Sequence, residues 1–453
     1  ALLVRDRMGV KPLYFHKSNT HFYFASEIKA LSCIPDISKE VDVLALEAYV
    51  SILSAPTDHT PYEAIKKLLP GTCLSLDLEH GHVQEYRFWQ LPIRRSYITD
   101  TPEYVIKTAH ALLIDAVKRQ LQADVPLGFF LSGGLDSSLL VAIAQKHGGI
   151  VKPTCFTMKQ DTNQHGFEND YPYAELLAKA LNLDLTLVVK KDLDLRAIDA
   201  ILDIIEEPVP DLSALNIQSI AQQAQAAGLK VLISGLGADD VATGYRRHLL
   251  LAYHGYLRHL PLKYCAALLH KLQLHNGARW LEKLVMSMDK DLDVFIANLH
   301  LYTNPQTSQM REMLVAYLKT FDNSVHPIDK ALALEQYSYL PNQNLLYTDK
   351  VAMRYGVEVR VPYLDNELMD YLYRIPHPLK IKGFETKYIL KEIAKEYLPK
   401  SIIYRTKVGF SEPITTTMAQ LLYHRLSPDQ RLHLPFSKMS KQLLLNLYAV
   451  SKY

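Results

Sequence analysis

The heptapeptide Ser132–Ser138 (SGGLDSS) gathers the residue types that hold a polyphosphate. Gly133 and Gly134 let a backbone turn tightly and approach an anion with no Cβ in the way. Ser132, Ser137 and Ser138 add hydroxyl donors. The free N–H groups of a helix opening behind the glycines point at the same place and favour negative charge. Asp136 would repel a bare phosphate, so it is better explained as a magnesium ligand, since hard cations take carboxylate oxygens. The GK[ST] ending of a Walker loop is absent, and with it the lysine that would reach the β- and γ-phosphates. The chemistry to expect is attack on the α-phosphate of a nucleotide, with release of pyrophosphate. A glycine-rich turn with a Ser/Asp cap shares part of this pattern. It does not account for the whole heptapeptide between a strand and a helix.

Elements of the right kind surround the loop. Val125–Leu131 (VPLGFFL) is a short continuous apolar run, as suits a strand buried on both faces of a parallel sheet. Ser137–Lys146 reads as a helix, and so does Pro102–Leu121, where Val105, Ala109, Leu112, Leu113 and Ala116 recur at helical spacing. Strand candidates Pro153–Met158, Leu183–Val189 and Lys230–Ser234 alternate with helices over 171–181 and 214–227. This βαβαβ rhythm implies an α/β fold with a doubly wound parallel sheet, which binds ligands at the carboxyl ends of its strands. Beyond about residue 240 the pattern is helical, rich in leucine and tyrosine. At the front, residues 1–90 alternate in short runs such as HFYFA (His21–Ala25) and GTCLSLDL (Gly71–Leu78), which predicts antiparallel strands with a helix near Val43–Leu53. Periodicity is lost over Gln90–Pro102, which reads as a linker.

The chain has 453 residues, enough for two or three domains. With 48% hydrophobic and 22% charged residues it has the composition of a soluble globular protein. A net charge of +2 leaves no broad footprint for nucleic acid or an anionic membrane. No apolar run approaches a bilayer span. Four scattered cysteines form no CxxC pair, so reduced thiols and a cytoplasmic location are expected.

With these residues in view, the chain resembles the glutamine-dependent asparagine synthetases and their amidotransferase relatives. RDRMGVKPLYF (Arg5–Phe15) and FASEIKAL (Phe24–Leu31) resemble the later half of the family's glutaminase domain. SGGLDSS resembles its pyrophosphate loop, and ISGLGADD (Ile233–Asp240) with Gly244 and Tyr245 its second nucleotide and metal loop. GVEVRVPYLD (Gly356–Asp365), FETKYILK (Phe384–Lys391) and RTKVGF (Arg405–Phe410) resemble its C-terminal helical signature. The resemblance implies a partial, α+β, Ntn-type glutaminase domain over 1–90. It implies a PP-loop ATP pyrophosphatase-like domain with a helical C-terminal part over 102–453.

The resemblance also implies roles. Leu131, Met158, Ser234 and Gly235 would surround the adenosine of ATP. Ser132, Gly133, Gly134, Ser137 and Ser138 would hold its phosphates. Asp136 and Asp239 would share a Mg2+ ion, and Lys387 would stabilise charge on the α-phosphate and on a later tetrahedral intermediate. Asp239 and Asp240 could instead cap a helix, and Lys387 could face solvent. Arg360 and Asp365 read as a structural ion pair around a turn. Glu206, Glu207 and Asp211 could contact a substrate amine or end a helix.

Two departures qualify the resemblance. Ala1 stands where the family has its N-terminal cysteine nucleophile, and the family's glutamine-binding segments are absent. Either the sequence is a fragment or the glutaminase is lost, and no glutamine hydrolysis is expected from it. Leu236 stands where asparagine synthetases carry an acidic residue, and Thr243 replaces a customary glycine. Leucine can neither take a proton nor hold a charged amine. The expectation is a carbon–nitrogen ligase that adenylates a carboxylate, aspartate foremost, and passes the acyl group to ammonia or an amine. A lactam- or macrocycle-forming relative keeps the reaction and changes the substrate; a non-catalytic remnant is the alternative from another class. A homodimer or a separate glutaminase partner would fit either enzyme.

Overall fold

In the computed structural model, residues 1–453 are described except 95, 160–169, 190–192, 272–280, 283, 303–308, 406–413, 432–435 and 437–438. The short alternating runs at the front pair into two antiparallel sheets of three strands. One joins β1 (Leu2–Val4), β5 (Thr72–Leu76) and β6 (Val83–Arg87); the other joins β2 (Tyr14–Lys17), β3 (Phe22–Ala25) and β4 (Lys66–Lys67). Two helices lie among them, α1 (Ile28–Ser32) and α2 (Val43–Ile52). Asp42 caps the second, its side chain accepting from the Ala45 amide.

After the irregular stretch up to residue 101, α3 (Pro102–Gln120) starts with Thr101 as its cap and proline at its first position. A five-stranded parallel sheet follows, made of β7 (Leu127–Phe130), β8 (Thr154–Lys159), β9 (Asp184–Val189), β10 (Val231–Ile233) and β11 (Glu358–Arg360). Its order across the sheet is β11-β10-β7-β8-β9. The first strand is therefore central, and the winding reverses between β7 and β10. Outside the carboxyl ends of that pair a crevice opens where ligands bind in open α/β sheets.

The two faces of the sheet bury alternate residues. Phe129, Leu131, Cys155, Val231 and Ile233 pack with α3, α4 (Leu135–His147) and α5 (Tyr171–Leu181). Phe130, Phe156, Met158 and Leu232 pack on the other side with α6 (Leu195–Ile205) and α7 (Ser213–Ala226). This is the period of two of a strand, applied to a sheet covered on both sides. Met8, Ala48 and Ile52 share the first of these clusters, so the front of the chain is packed into the same core.

Three readings of the sequence need correction. GVEVRVPYLD is not helical; it supplies β11, an edge strand parallel to β10, and then a short 3-10 turn. Helix α6, between β9 and α7, was not foreseen. Arg360 and Asp365 do not pair with each other: Arg360 binds Glu358 and the carbonyls of Gln120 and Gln122, whereas Asp365 binds Arg119 and caps the next helix. Among the described residues no helix is long and apolar enough to cross a membrane.

Candidate active site

β7 delivers SGGLDSS to the rim of the crevice. The turn is closed by Ser132, whose hydroxyl lies 3.1 Å from that of Ser137 and accepts from the Gly134 amide at 3.3 Å. Gly133 has a φ of +67°, and a Cβ there would come within 2.5 Å of the Ala174 amide nitrogen, so α5 closes directly on the loop. Helix α4 begins after Gly134, its first-turn N–H groups and Asp136 at the loop's mouth.

The neighbouring strand β10 delivers the second loop. Gly235 lies so close that a Cβ would meet the Ser137 amide nitrogen at 2.9 Å. The short helix α8 (Ala238–Ala242) then carries Asp239. Lys387 arrives from far along the chain, at the start of the helix Tyr388–Ala394, with a left-handed φ of 54°. Its ammonium lies 2.6 Å from Asp136 Oδ2 and 2.7 Å from Asp239 Oδ1. Burial pulls the lysine's pKa down, but the two carboxylates outweigh it and the net shift is upward, so the ammonium stays charged.

A cavity of about 550 Å³ opens over this trio, lined by Leu131, Ser132, Gly134, Asp136, Ser137, Met158, Ser234, Gly235, Asp239 and Lys387. The volume falls in the range of small-molecule sites. Two residues expected at the phosphates do not line it. Gly133 faces α5, and Ser138 is fully buried beneath the turn, its hydroxyl without a hydrogen-bond partner among the described residues. The alternatives for the carboxylates are resolved in part. Glu206 and Glu207 lie away from the cavity and bind Lys350 and Lys67, while Asp211 lines it.

Several lining groups were missed. Thr157 on β8 presents a buried hydroxyl with no partner among the described residues. Lys391 and Arg405 add cations, and both sit inside stretches that the sequence had already singled out. Lys391 follows Lys387 by one helical turn, a spacing that could have revealed it. The rest of RTKVGF, residues 406–410, lies outside the described residues. Tyr245, Tyr339 and Tyr347 line another stretch of wall with Asp211 and Asp240. Burial first raises all three phenol pKa values, helped by Asp240 at Tyr245, by Tyr302 and Asp211 at Tyr339 and by Asp211 at Tyr347, so they remain neutral. Tyr339 and Asn344 reach the cavity from a wide π-type helix, Glu335–Asn344, which no apolar period announces.

Family models match two stretches of the chain: a glutamine amidotransferase domain over residues 1–89 and asparagine synthase over residues 108–449. The chain belongs to the asparagine synthase family. It is 28% identical over 427 residues to asparagine synthetase (glutamine-hydrolyzing) 1 of Bacillus subtilis strain 168, covering 90% of this chain and 65% of that one. It is also 27% identical over 461 residues to amidase chyE of Penicillium rubens, covering 91% of this chain and 67% of that one. The chain thus spans just under two thirds of the Bacillus relative's length. Among solved structures, the U34-tRNA thiolase NcsA of Methanococcus maripaludis matches 52% of this chain and 79% of its own at 13% identity. The TM-score of that match is 0.26. For an asparagine synthase-type chain, the site's fit to a nucleotide and a metal can be tested on the residues present. The loop offers an anion the first turn of α4, whose leading N–H groups have no intrahelical acceptor, beside Ser132 and Ser137, which line the cavity. Among the described residues no group of three or more His, Cys, Asp or Glu is set for a metal. Mg2+ typically takes one or two carboxylates plus phosphate oxygens, which Asp136 and Asp239 suit.

Proposed function

We propose that this chain is an ATP-dependent carbon–nitrogen ligase that activates a carboxylate as its acyl-adenylate. One observation carries the reading: Asp136, Asp239 and Lys387, from three distant parts of the sequence, meet at hydrogen-bond distance where the sheet's winding reverses. The residues divide into a front part over 1–90, of glutaminase (Ntn) type, and a PP-loop-type synthetase part over 102–453.

ATP is the substrate that fits the crevice. Leu131, Met158, Ser234 and Gly235 enclose its adenosine, and Ser132, Gly134 and Ser137 with the first turn of α4 hold its phosphates. Gly133 contributes by allowing the turn and Ser138 by buttressing it from below. Asp136 and Asp239 would hold Mg2+, which when bound would neutralise phosphate charge. A substrate carboxylate oxygen attacks the α-phosphorus, the bond from that phosphorus to the bridging oxygen breaks, and pyrophosphate leaves with the electron pair. Lys387, fixed and charged before the reaction, stabilises the negative charge that builds on the α-phosphoryl oxygens. An amine then attacks the acyl carbon, loses a proton, and AMP departs.

Aspartate and ammonia, giving asparagine, are the first substrates to test, because that is the family's namesake reaction. Glutamine turnover is not expected of the cysteines present in the front part. Cys33 ends α1 at the surface, and Cys73 sits in β5 opposite Val4. Leu236 favours a second acyl substrate: its side chain lines the same cavity, where a carboxylate would otherwise face the incoming amine. A lactam- or macrocycle-forming reaction, in which the amine belongs to the substrate itself, suits that apolar wall. The test is to incubate the chain with ATP, Mg2+, aspartate and ammonium and measure pyrophosphate, AMP and asparagine. Pyrophosphate with asparagine supports the first substrate. ATP binding without pyrophosphate removes aspartate and leaves the second reading. No ATP binding at all overturns the ligase.

A further inference from the structure

Lys387 cannot by itself draw a polyphosphate into this crevice. Its charge is shared between Asp136 and Asp239, so the trio is net negative and repels phosphate until further positive charge is supplied. Two other cations on the cavity wall have a different character.

Arg405 is held rigidly. Its side chain is 5% exposed, one terminal nitrogen binds Asp170, the other lies 3.4 Å from the Ser132 carbonyl oxygen, and the guanidinium stacks 4.1 Å over the ring of Tyr173. Only two edges of the planar group are thereby used. The Nε–H, also buried, has no partner among the described residues. A buried donor without an acceptor is costly, and here it belongs to a residue that lines the cavity and touches the phosphate loop itself. Lys391 lies one turn after Lys387 on the same helix face and lines the same cavity. Among the described residues it makes no salt bridge, although Glu385 acts on it at longer range, and its ammonium sits 5.5 Å from the centre of the Tyr404 ring. Burial leads in lowering its pKa, which marks an ammonium that gains from an anion brought alongside.

We propose that Arg405 and Lys391 form the seat of the departing pyrophosphate: Arg405 donates its unused Nε–H to a phosphate oxygen, and Lys391 places a point charge beside it. The proposal rests on the nucleotide reading above and adds the groups that act on the β- and γ-phosphates. When the bond between the α-phosphorus and the bridging oxygen breaks, the electron pair moves onto that oxygen and the charge of the leaving group grows. Two cations at that end, Arg405 held in place by its own contacts and Lys391 beside it, stabilise the change. The division of labour is then spatial, with Lys387 serving the α-phosphate and this pair serving what leaves. An arginine suits the first role because its fork is fixed by Asp170 and Tyr173 and stays charged at any working pH.

Calorimetry on the full chain in the presence of Mg2+, with inorganic pyrophosphate, ATP and AMP as probes, tests this. Arg405→Gln and Lys391→Gln are each expected to weaken pyrophosphate and ATP about tenfold or more, while AMP affinity stays within about twofold of the parent chain. Lys391→Gln breaks no salt bridge among the described residues, so it stands as the test should Arg405→Gln fail to fold. Wild-type affinity for pyrophosphate in the Lys391 variant, or a loss of AMP binding equal to the loss of ATP binding, overturns the assignment while leaving the ligase intact. A parent chain that binds none of the three probes overturns both.

Discussion

At the scale of single residues, Gly244 decides whether Asp136, Asp239 and Lys387 can meet. A Cβ built there would fall 1.6 Å from Asp239 Oδ1 and 2.3 Å from Lys387 Cε. Both neighbours are held by each other, so neither can step aside without breaking the contact. Gly244→Ala should therefore reduce pyrophosphate release about 100-fold, because a displacement near 1 Å at reacting groups costs that much. A variant that turns over at the parent rate would show that the trio's closeness is dispensable. Gly244 was legible in the sequence as part of a motif; its reason was not, since the clash involves a lysine 143 positions away. The same limit applies within SGGLDSS. Residue types announced a phosphate loop, but which hydroxyl faces the cavity depends on how α4 and α5 pack, and Ser138 turns inward. Leu236 was read as unusual from its type alone, and its place on the cavity wall now gives that a location.

Among the elements, strands and helices with a clear period were found within a few residues, as with α2, α5 and β8. Elements that carry no period were not. β11 is three residues long and lies in a stretch read as helical; the parallel pairing to β10 that makes it a strand is invisible locally. The π-type helix Glu335–Asn344 has no apolar stripe because it is buried around most of its circumference. The helix that leads into it, Pro327–Leu334, begins at His326, whose ring nitrogen accepts from the Ile328 amide and whose ring stacks 3.8 Å from that of His377. Burial, and then His377 and Lys380 against the opposing pull of Asp329, lowers the His326 pKa from 6.5 to about 4. Between those two values the unfolded chain binds a proton that the folded chain refuses, so stability falls as pH drops through this window and levels off below it. His326→Asn keeps a capping acceptor but removes the titrating ring. Urea midpoints at pH 7 and pH 4.5 should drop less in this variant than in the parent. Equal drops would exclude His326 as the source.

For the whole molecule, the sequence conveyed an α/β sheet behind an antiparallel front part, but it did not reveal how charge stitches the two together. Glu207 is completely buried and receives Lys67 at 2.7 Å, Tyr14 at 2.7 Å and Tyr49, all three from the first 90 residues. Glu206, next to it, accepts from the Ile28 amide at 2.8 Å and binds Lys350. Nothing in the spacing of EEP signalled these partners. Removing one member of a buried pair leaves the other uncompensated, so Lys67→Met should cost about 3–5 kcal/mol of stability at neutral pH. Adding Glu207→Gln should recover most of it, because the stranded charge is gone. Chemical denaturation of the single and double variants measures this, and a double variant no more stable than Lys67→Met would place the loss in packing instead. The linker near residue 100 looks like a place to cut the chain in two. A piece begun there would nevertheless carry Glu207 out of the fold with none of its three donors, so the scissors that suit the covalent chain would cut through a keystone of its electrostatics.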